Sequence, residues 1–272
     1  MTRLKEDDIS KVVAGLTQYD VELISKTGCS LKAIAARAAQ RDLDSSSAPG
    51  LKIAVIPVTS GQGIIGGFTT AVAGILDYLG FDAFITQNSD VAGIAEAIHG
   101  GAEVLFAADD HKFIAFNLKT GMIVDNGEAT GRGYITALNQ MCCGLTEKPV
   151  LVIGAGPVGR SAAGLIAKLG GLVSVYDIDV TASRALVDEL RKQGQPAKVE
   201  TDLDYALSRH QVIVDASPAE DIIPPRHITE RTIIAAPGVP LGVPPEQRRK
   251  HGARILHDPL QIGVATMCFL VI

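Results

Sequence analysis

Val150-Leu-Val-Ile-Gly-Ala-Gly-Pro-Val-Gly159 is the stretch that decides the fold. Four apolar residues make a short strand, and a G-x-G-x-x-G follows without a break. In that setting Gly154 permits the tight turn, Gly156 lets a pyrophosphate approach the backbone, and Gly159 allows close helix–strand packing. The spacing predicts a helix over Val158–Leu169, whose N-terminus offers free N–H groups and a positive dipole end. Pro157 carries no N–H, so Val158 and its neighbours must supply the contacts. The next apolar run, Leu172–Tyr176, ends at Asp177, where a carboxylate receives the adenosine ribose hydroxyls. A 2′-phosphate would meet Asp177 and Asp179 with no adjacent arginine. At about 4 Å and an effective dielectric of about 20, that repulsion is roughly 4 kcal/mol per charge pair. The expected cofactor is therefore NAD rather than NADP.

Downstream the alternation continues: helix Ala182–Lys192, strand Ala197–Glu200, strands Val212–Asp215 and Thr232–Ala235, and Arg254–Leu256 as a sixth. Ser217-Pro218 and Pro237-Gly238 follow two of those strands, where a doubly wound sheet presents loops to ribose and nicotinamide. Proline also ends strands as plain punctuation. Upstream, strand Leu51–Val58, helix Gly66–Leu79, run Phe81–Thr86, helix Ala92–His99 and strand Glu103–Ala108 repeat the pattern, and Gly131–Cys143 reads as a helix. Helical signals occupy residues 3–42, and Ser45-Ser-Ser-Ala-Pro-Gly50 is linker-like. The expected fold is α/β in two domains: an N-terminal α/β substrate domain with a helical preface (1–145) and a C-terminal Rossmann domain with a doubly wound parallel sheet (146–257). A terminal helix (258–272) is expected to pack back on the first domain.

Composition narrows the function. The 272 residues carry 25 Lys plus Arg against 30 Asp plus Glu, a net charge of −5 with no basic block, which argues against nucleic acid or an anionic membrane surface as partner. Hydrophobic residues at 47% supply a sizeable core, whereas 4% aromatics and no Trp do not suit a base- or sugar-stacking surface. Cys29, Cys142, Cys143 and Cys268 form no CxxC, and the six histidines have no ligand spacing, so neither a disulfide framework nor a metal site is expected. The charged start and the uncharged but Gly-, Ser- and Pro-interrupted stretch Ile53–Leu76 predict a soluble cytoplasmic protein without a membrane span. A small-molecule substrate is the expected partner; the sequence is silent on whether the chain forms a homo-oligomer.

Gly61-Gln-Gly-Ile-Ile-Gly66 repeats the glycine pattern, but its second strand ends Ile85-Thr-Gln-Asn88 without a matching acid. With Thr59, Ser60 and Gln62 around it, the loop reads as a substrate-holding turn whose N–H groups suit a carboxylate; the plainer reading is a glycine hinge. Ala107-Ala-Asp-Asp110 closes an apolar strand. Neighbours on an extended segment point to opposite faces, so one aspartate is expected at the interdomain cleft and the other as a cap of the following turn.

Together, Ile56-Pro-Val-Thr-Ser-Gly-Gln-Gly-Ile-Ile-Gly66, Gly80-Phe-Asp-Ala-Phe-Ile-Thr86, Ala108-Asp-Asp110, Asn117-Leu-Lys, Thr130-Gly131 and Asp258-Pro-Leu-Gln-Ile-Gly-Val-Ala-Thr-Met267 resemble the pyrrolysine synthase family. The likeness runs from Leu4 to the C-terminus, with Gln62 where an asparagine is usual. It implies NAD-dependent oxidation of the terminal amine of 3-methyl-D-ornithyl-Nε-L-lysine, ammonia loss, and cyclisation to pyrrolysine. It also implies Ser60 and Asp109 as the polar groups around the reacting amine, with Leu4, Val58, Thr59, Gln62 and Ile65 about the substrate.

Residue chemistry agrees with that implication. Only a neutral amine can release hydride, yet a lysine-like amine has a pKa of about 10.4, and deprotonating it at pH 7 costs roughly 4–5 kcal/mol. A carboxylate such as Asp109 can bind the ammonium, take its proton and stabilise the developing iminium. Two other functions fit the same motifs: a different NAD-dependent amino-acid-type dehydrogenase, and a non-catalytic NAD(H) sensor using residues 3–42 as a binding arm. A shikimate-type site would want a Lys/Asp pair, and no lysine is close in sequence to the tip of either glycine loop.

Overall fold

A computed structural model describes residues 4–42 and 50–272. The Ser-rich linker therefore lies, apart from Gly50, outside the described residues. The chain divides into two compact units: Met1–Ile24 with Cys29–Gly133 and Pro259–Ile272, and Ser25–Gly28 with Tyr134–Asp258.

The first unit opens with helices α1 (Glu6–Ile9), α2 (Val12–Thr27) and α3 (Leu31–Ala38). Ser30 caps α3 by accepting from the Ala33 N–H at 3.2 Å. Then come β1 (Lys52–Ile56), α4 (Phe68–Tyr78), β2 (Asp82–Ile85), α5 (Asp90–His99), β3 (Val104–Ala108), β4 (Phe113–Asn117), β5 (Ile123–Asp125) and α6 (Asn126–Met141). The strands form one sheet in the order β2-β1-β3-β4-β5. β2, β1 and β3 run parallel, and β4 and β5 continue antiparallel. Ile53–Ile56 of β1 are all buried, as expected of a central parallel strand covered on both faces.

β4 and β5 were not among the sequence expectations. The cue is Phe113-Ile-Ala-Phe-Asn117, whose residues alternate buried and half-buried. Its turn is made by Asn117, whose Oδ1 accepts from the Lys119 and Thr120 N–H groups at 2.9 Å, and by Gly121 at φ +75°. α6 starts five residues before the expected Gly131, so Gly131 and Gly133 lie inside a helix. At Gly133 packing is the reason for glycine: a Cβ would sit 2.3 Å from Thr266 Oγ1 and 2.5 Å from Ile262 Cγ2.

The division between units falls within α6. The second unit contains β6 (Pro149–Ile153), α7 (Pro157–Lys168), β7 (Leu172–Tyr176), α8 (Val180–Lys192), β8 (Ala197–Glu200), α9 (Leu203–Arg209), β9 (Val212–Asp215), β10 (Ile233–Ala235), α10 (Pro245–His251) and β11 (Ile255–Leu256). All pairings are parallel, in the order β11-β10-β9-β6-β7-β8. The chain works outward through β7 and β8, then returns to the centre at β9. This is the doubly wound Rossmann order, with its switch point between β6 and β9. The short helices α9 and α10 were likewise unanticipated.

The last helix, α11 (Gln261–Val271), belongs to the first unit and packs on α3, α4, β4 and β5. All its residues except Leu270 are buried, which is why its sequence is apolar all round. Asn117 Nδ2 donates to the Val271 carbonyl at 3.0 Å and ties the helix end to β4. No helix among the described residues is long and apolar enough to cross a membrane.

Candidate functional site

In the second unit the glycine loop is built as its spacing requires. Gly154 leaves β6 at φ +96°, and its N–H donates to the Tyr176 carbonyl at 2.8 Å. A Cβ there would meet the Ala216 carbonyl oxygen at 2.9 Å. At Gly159 a Cβ would lie 1.8 Å from the Gly154 oxygen, so α7 reaches the turn only because that residue is glycine. Gly156 differs: it caps α7 with extended backbone, and no protein atom lies within 4 Å of a Cβ placed on it. Packing thus explains the first and third glycines but not the second. Pro157 takes the first helical position, where its missing N–H is harmless. Val158 and Gly159 follow in the first turn, where N–H groups have no carbonyl one turn back. These features fit a dinucleotide diphosphate.

Asp177, just past β7, accepts from the Ala155 N–H at 2.6 Å through Oδ2 and from the Asp179 N–H at 2.9 Å through Oδ1. The carboxylate is held against the glycine loop, at the strand end where a ribose would lie. Asp179 caps α8 through the Thr181 N–H and hydroxyl, and the hydroxyl bond foremost holds its carboxyl below the usual range.

The loops after β9 and β10 meet over Asp215, the last residue of β9. Asp215 is 0% exposed. Its Oδ1 accepts from the Ser217 hydroxyl at 2.7 Å and the Ser217 N–H at 3.1 Å, and its main-chain oxygen accepts from the Gly238 N–H at 2.9 Å. A Cβ on Gly238 would be 2.1 Å from the Ser217 oxygen, and one on Gly242 would be 2.1 Å from Asp215 Oδ2. Ser217 is therefore fixed by a buried carboxyl group and Gly238 by the main chain of the same residue, with Pro218 and Pro237 next to them in sequence. Burial pushes that group up to about 6 against the hydrogen bonds from Ser217.

In the first unit, Ile56 of β1 stands opposite Ala107 of β3, so the loops bearing Ser60 and Asp109 leave the same sheet edge. No direct dinucleotide turn forms there: Pro57–Gly67 separates β1 from α4. Thr59 is engaged by Asp90, its N–H donating to Oδ1 at 2.8 Å and its hydroxyl to Oδ2 at 2.5 Å. The polar residues after β2 are also held internally, since Glu96 accepts from the Gln87 and Asn88 N–H groups. Gln62 donates its main-chain N–H to Asp110 Oδ2 at 2.7 Å, and a Cβ on Gly61 would overlap that oxygen at 2.0 Å. Of the loop N–H groups expected to suit a substrate carboxylate, that of Gln62 is already bonded to a carboxylate of the chain itself.

Asp109 caps its own turn. Its Oδ1 accepts from the His111 and Lys112 N–H groups, both at 2.7 Å. Those bonds, Lys112 first, hold its carboxyl below the usual range, so it is anionic at neutral pH. It is exposed, as is Ser60. Of the two neighbouring aspartates, Asp109 makes the turn cap and Asp110 reaches the glycine loop. Leu4, Val58 and Ile65 are half-buried. Near Gly66 a Cβ would meet the Glu6 carboxyl group at 2.8–2.9 Å, so α1 lies against this loop. Lys112, three residues after Asp109 and 68% exposed, is engaged by Asp125 at 2.8 Å.

The family model described as "Pyrrolysine biosynthesis protein PylD, N-terminal domain" matches residues 8–124. The chain is 31% identical over 272 residues to the pyrrolysine synthase of Methanosarcina acetivorans, covering 100% of both chains. It is 32% identical over 273 residues to that of Methanosarcina barkeri, covering 100% of this chain and 98% of the relative. Among solved structures, shikimate dehydrogenase from Aquifex aeolicus superposes with a TM-score of 0.55 at 16% identity, over 82% of this chain and 92% of that one. Quinate dehydrogenase from Corynebacterium glutamicum in complex with NAD gives 0.55 at 15% identity, over 81% and 92%. These two share the fold. With nearly a third of its residues identical along the whole length of both relatives, the chain belongs to the pyrrolysine synthase family.

Proposed function

We propose that the protein is an NAD-dependent dehydrogenase that oxidises the terminal amine of 3-methyl-D-ornithyl-Nε-L-lysine, after which ammonia is lost and the ring closes to pyrrolysine. The observation that carries this reading is the full-length likeness to two proteins named pyrrolysine synthase. The cofactor assignment has its own support in the geometry. Gly156 faces open space beside a helix N-terminus, and the Asp177 carboxylate stands at the adjacent strand end, which suits ribose hydroxyls and repels a 2′-phosphate. When bound, the nicotinamide supplies a hydride acceptor for the amine-bearing carbon.

The remaining work falls to residues of the first unit. Asp109 keeps its negative charge because two N–H groups already hold Oδ1, leaving Oδ2 to meet the substrate ammonium. A carboxylate whose pKa is lowered is a poor proton acceptor and a good anchor. Asp109 therefore orients the nitrogen and stabilises the iminium formed as the C–H bond breaks, while the ammonium proton leaves to water. Ser60, on the neighbouring loop of the same sheet edge, orients the nitrogen or the water that displaces ammonia. Leu4, beside α1, covers the apolar part of the substrate. Incubation of the protein with NAD and the dipeptide-like substrate tests the reading: absorbance of NADH should rise in step with a product lacking one nitrogen. NADH formation with simple amino acids but not with this substrate overturns it.

A further inference from the structure

We propose that Asp90 and Asp110 are positioning residues that hold the Ser60 loop from two sides, Asp90 at its foot and Asp110 at its tip. This rests on the reading of Ser60 as a group that meets the substrate, and adds the residues that place it. β1 lies between β2 and β3, and the three strands run parallel, so the loops that follow them leave one sheet edge side by side. The loop after β1, Pro57–Gly67, carries Ser60. The loop after β2 leads into α5 at Asp90, and the loop after β3 contains Asp109 and Asp110. Each flanking loop sends one carboxylate to the middle one.

At the foot, both oxygens of Asp90 engage a single residue. Oδ1 accepts from the Thr59 N–H at 2.8 Å and Oδ2 from the Thr59 hydroxyl at 2.5 Å, and the Asp90 N–H donates to the Pro57 carbonyl at 2.9 Å. Three bonds thus close on the residues just before Ser60. The hydroxyl bond foremost holds the Asp90 carboxyl below the usual range, so its acceptors are charged at neutral pH. Asp90 adopts φ +53°, a left-handed value that aspartate tolerates better than most side chains. Its platform is fixed: a Cβ on Gly93 of α5 would be 2.5 Å from the Asn88 oxygen and 2.8 Å from Ile56 Cγ2, so the helix is pressed against the end of β1.

At the tip, Asp110 Oδ2 accepts from the Gln62 N–H at 2.7 Å and sits 2.0 Å from where a Cβ on Gly61 would be. Between the two anchors the Ser60 carbonyl accepts from the Gly63 N–H at 3.3 Å, which closes the turn. Thr59, Ser60, Gly61 and Gln62 are exposed, so burial does not shape this segment. Gly61 and Gly63, at φ +69° and +80°, would let an untethered loop take many conformations. The two carboxylates supply the order that packing does not. Among the described residues nothing bonds the Ser60 hydroxyl, whereas the Thr59 hydroxyl beside it is engaged. The main chain of Ser60 is set while its hydroxyl stays available, the arrangement that orienting a reacting nitrogen requires.

A double-mutant cycle on NADH formation from the dipeptide-like substrate tests this. Asp90→Gly removes both acceptors and suits φ +53°. Asp90→Asn keeps an oxygen for the Thr59 N–H and an NH2 from which the Thr59 hydroxyl can accept. Asp90→Gly should lower kcat at least about tenfold, the scale of a misplaced reacting group, with the NAD dissociation constant within about twofold. Asp90→Asn should recover most of that loss, and Asp110→Ala should behave as Asp90→Gly does. In a Ser60→Ala background, with rates followed over hours by product mass, either change should cost less than about twofold more, because both act through Ser60. If Asp90→Gly does not fold, Thr59→Val removes the hydroxyl bond from the other side and takes its place in the cycle. Undiminished losses in the Ser60→Ala background, or full activity of either aspartate variant, overturn the proposal and leave the dehydrogenase reading intact. A wild type that forms no NADH from this substrate overturns both.

Discussion

The three glycines of the second loop look equivalent as letters and are not equivalent as atoms. At Gly159 an added methyl has 1.8 Å to the Gly154 oxygen, whereas at Gly156 it meets no protein atom. Gly159→Ala should therefore cost more than ~3 kcal/mol of stability or prevent folding, as expected of forced overpacking. Gly156→Ala should unfold within about 0.5 kcal/mol of wild type yet bind NAD about tenfold more weakly. Denaturant melts and NAD titrations on the same two proteins separate the roles; a Gly156→Ala protein with unaltered NAD affinity would remove the diphosphate from this loop. Asp109→Asn should lower kcat by at least about 100-fold, the usual scale for removing a charge that stabilises a transition state, with NAD affinity within a few-fold. Equal loss of both would make Asp109 only a turn cap. Asp215 gives a stability prediction of the opposite kind. Its folded value near 6 lies above the 3.8 of the free side chain, so the native state holds the proton more tightly. The stabilisation is complete below the unfolded value and lost as pH rises through 6. Two units at 1.36 kcal/mol each make about 3 kcal/mol in all, of which about 1.4 is lost between pH 5 and 8. Urea melts of wild type and Asp215→Asn should diverge by that amount over the interval, with the variant gaining relative stability at high pH.

Among the elements, those carried by a single period were legible and those carried by a turn were not. β6, β7 and α7 were readable because four or five apolar residues run into glycine and then into helical spacing, and they emerge within a residue or so of the expected limits. β4 and β5 escaped because their signal is spread over two short strands joined by Asn117 and Gly121. The first glycine loop matched a dinucleotide pattern as text. Its partners, Asp90 and Asp110, lie 31 and 48 residues from the groups they hold, beyond any local reading. Asp215 was visible as a residue but not as a junction, since its contacts with Gly238 and Gly242 depend on β9 and β10 being neighbours. The crossing of α6 and α11 yields a prediction at this scale. Gly133 brings the two helices so close that Gly133→Ala must displace Thr266 and Ile262, at a cost of about 1–3 kcal/mol. Thermal melting checks it. Thr266 Oγ1 is itself buried without a hydrogen-bond partner, so Thr266→Val should be neutral or slightly stabilising, and a marked loss would mean that the hydroxyl is needed where it stands.

At the scale of the whole molecule, the chemistry divides by unit in a way the chain order partly conceals. The second unit contains the glycine loop, Asp177 and the two loops over Asp215. The first contains Ser60, Asp109 and the helix α1, and it recruits the last residues of the chain, Pro259–Ile272, into its own core. Each unit thus has a separate sheet and a separate hydrophobic interior, and the two sets of site residues answer to different packing. Cofactor preference should then be separable from substrate recognition. Asp177 accepts from the loop N–H of Ala155 with one oxygen and from the Asp179 N–H with the other, so its position is set wholly by contacts within the second unit. Asp177→Arg exchanges a charge that repels a 2′-phosphate for one that pairs with it; removing about 4 kcal/mol of repulsion and gaining an ion pair is ample for a hundredfold change in the NADP-to-NAD ratio of kcat/KM. The KM for the amine substrate should stay within about twofold, because uniform binding by the first unit is untouched. Steady-state kinetics with both cofactors decide it. A ratio that does not move would place the adenosine away from β7, and a substrate KM that moves with it would show that the two units do not act independently.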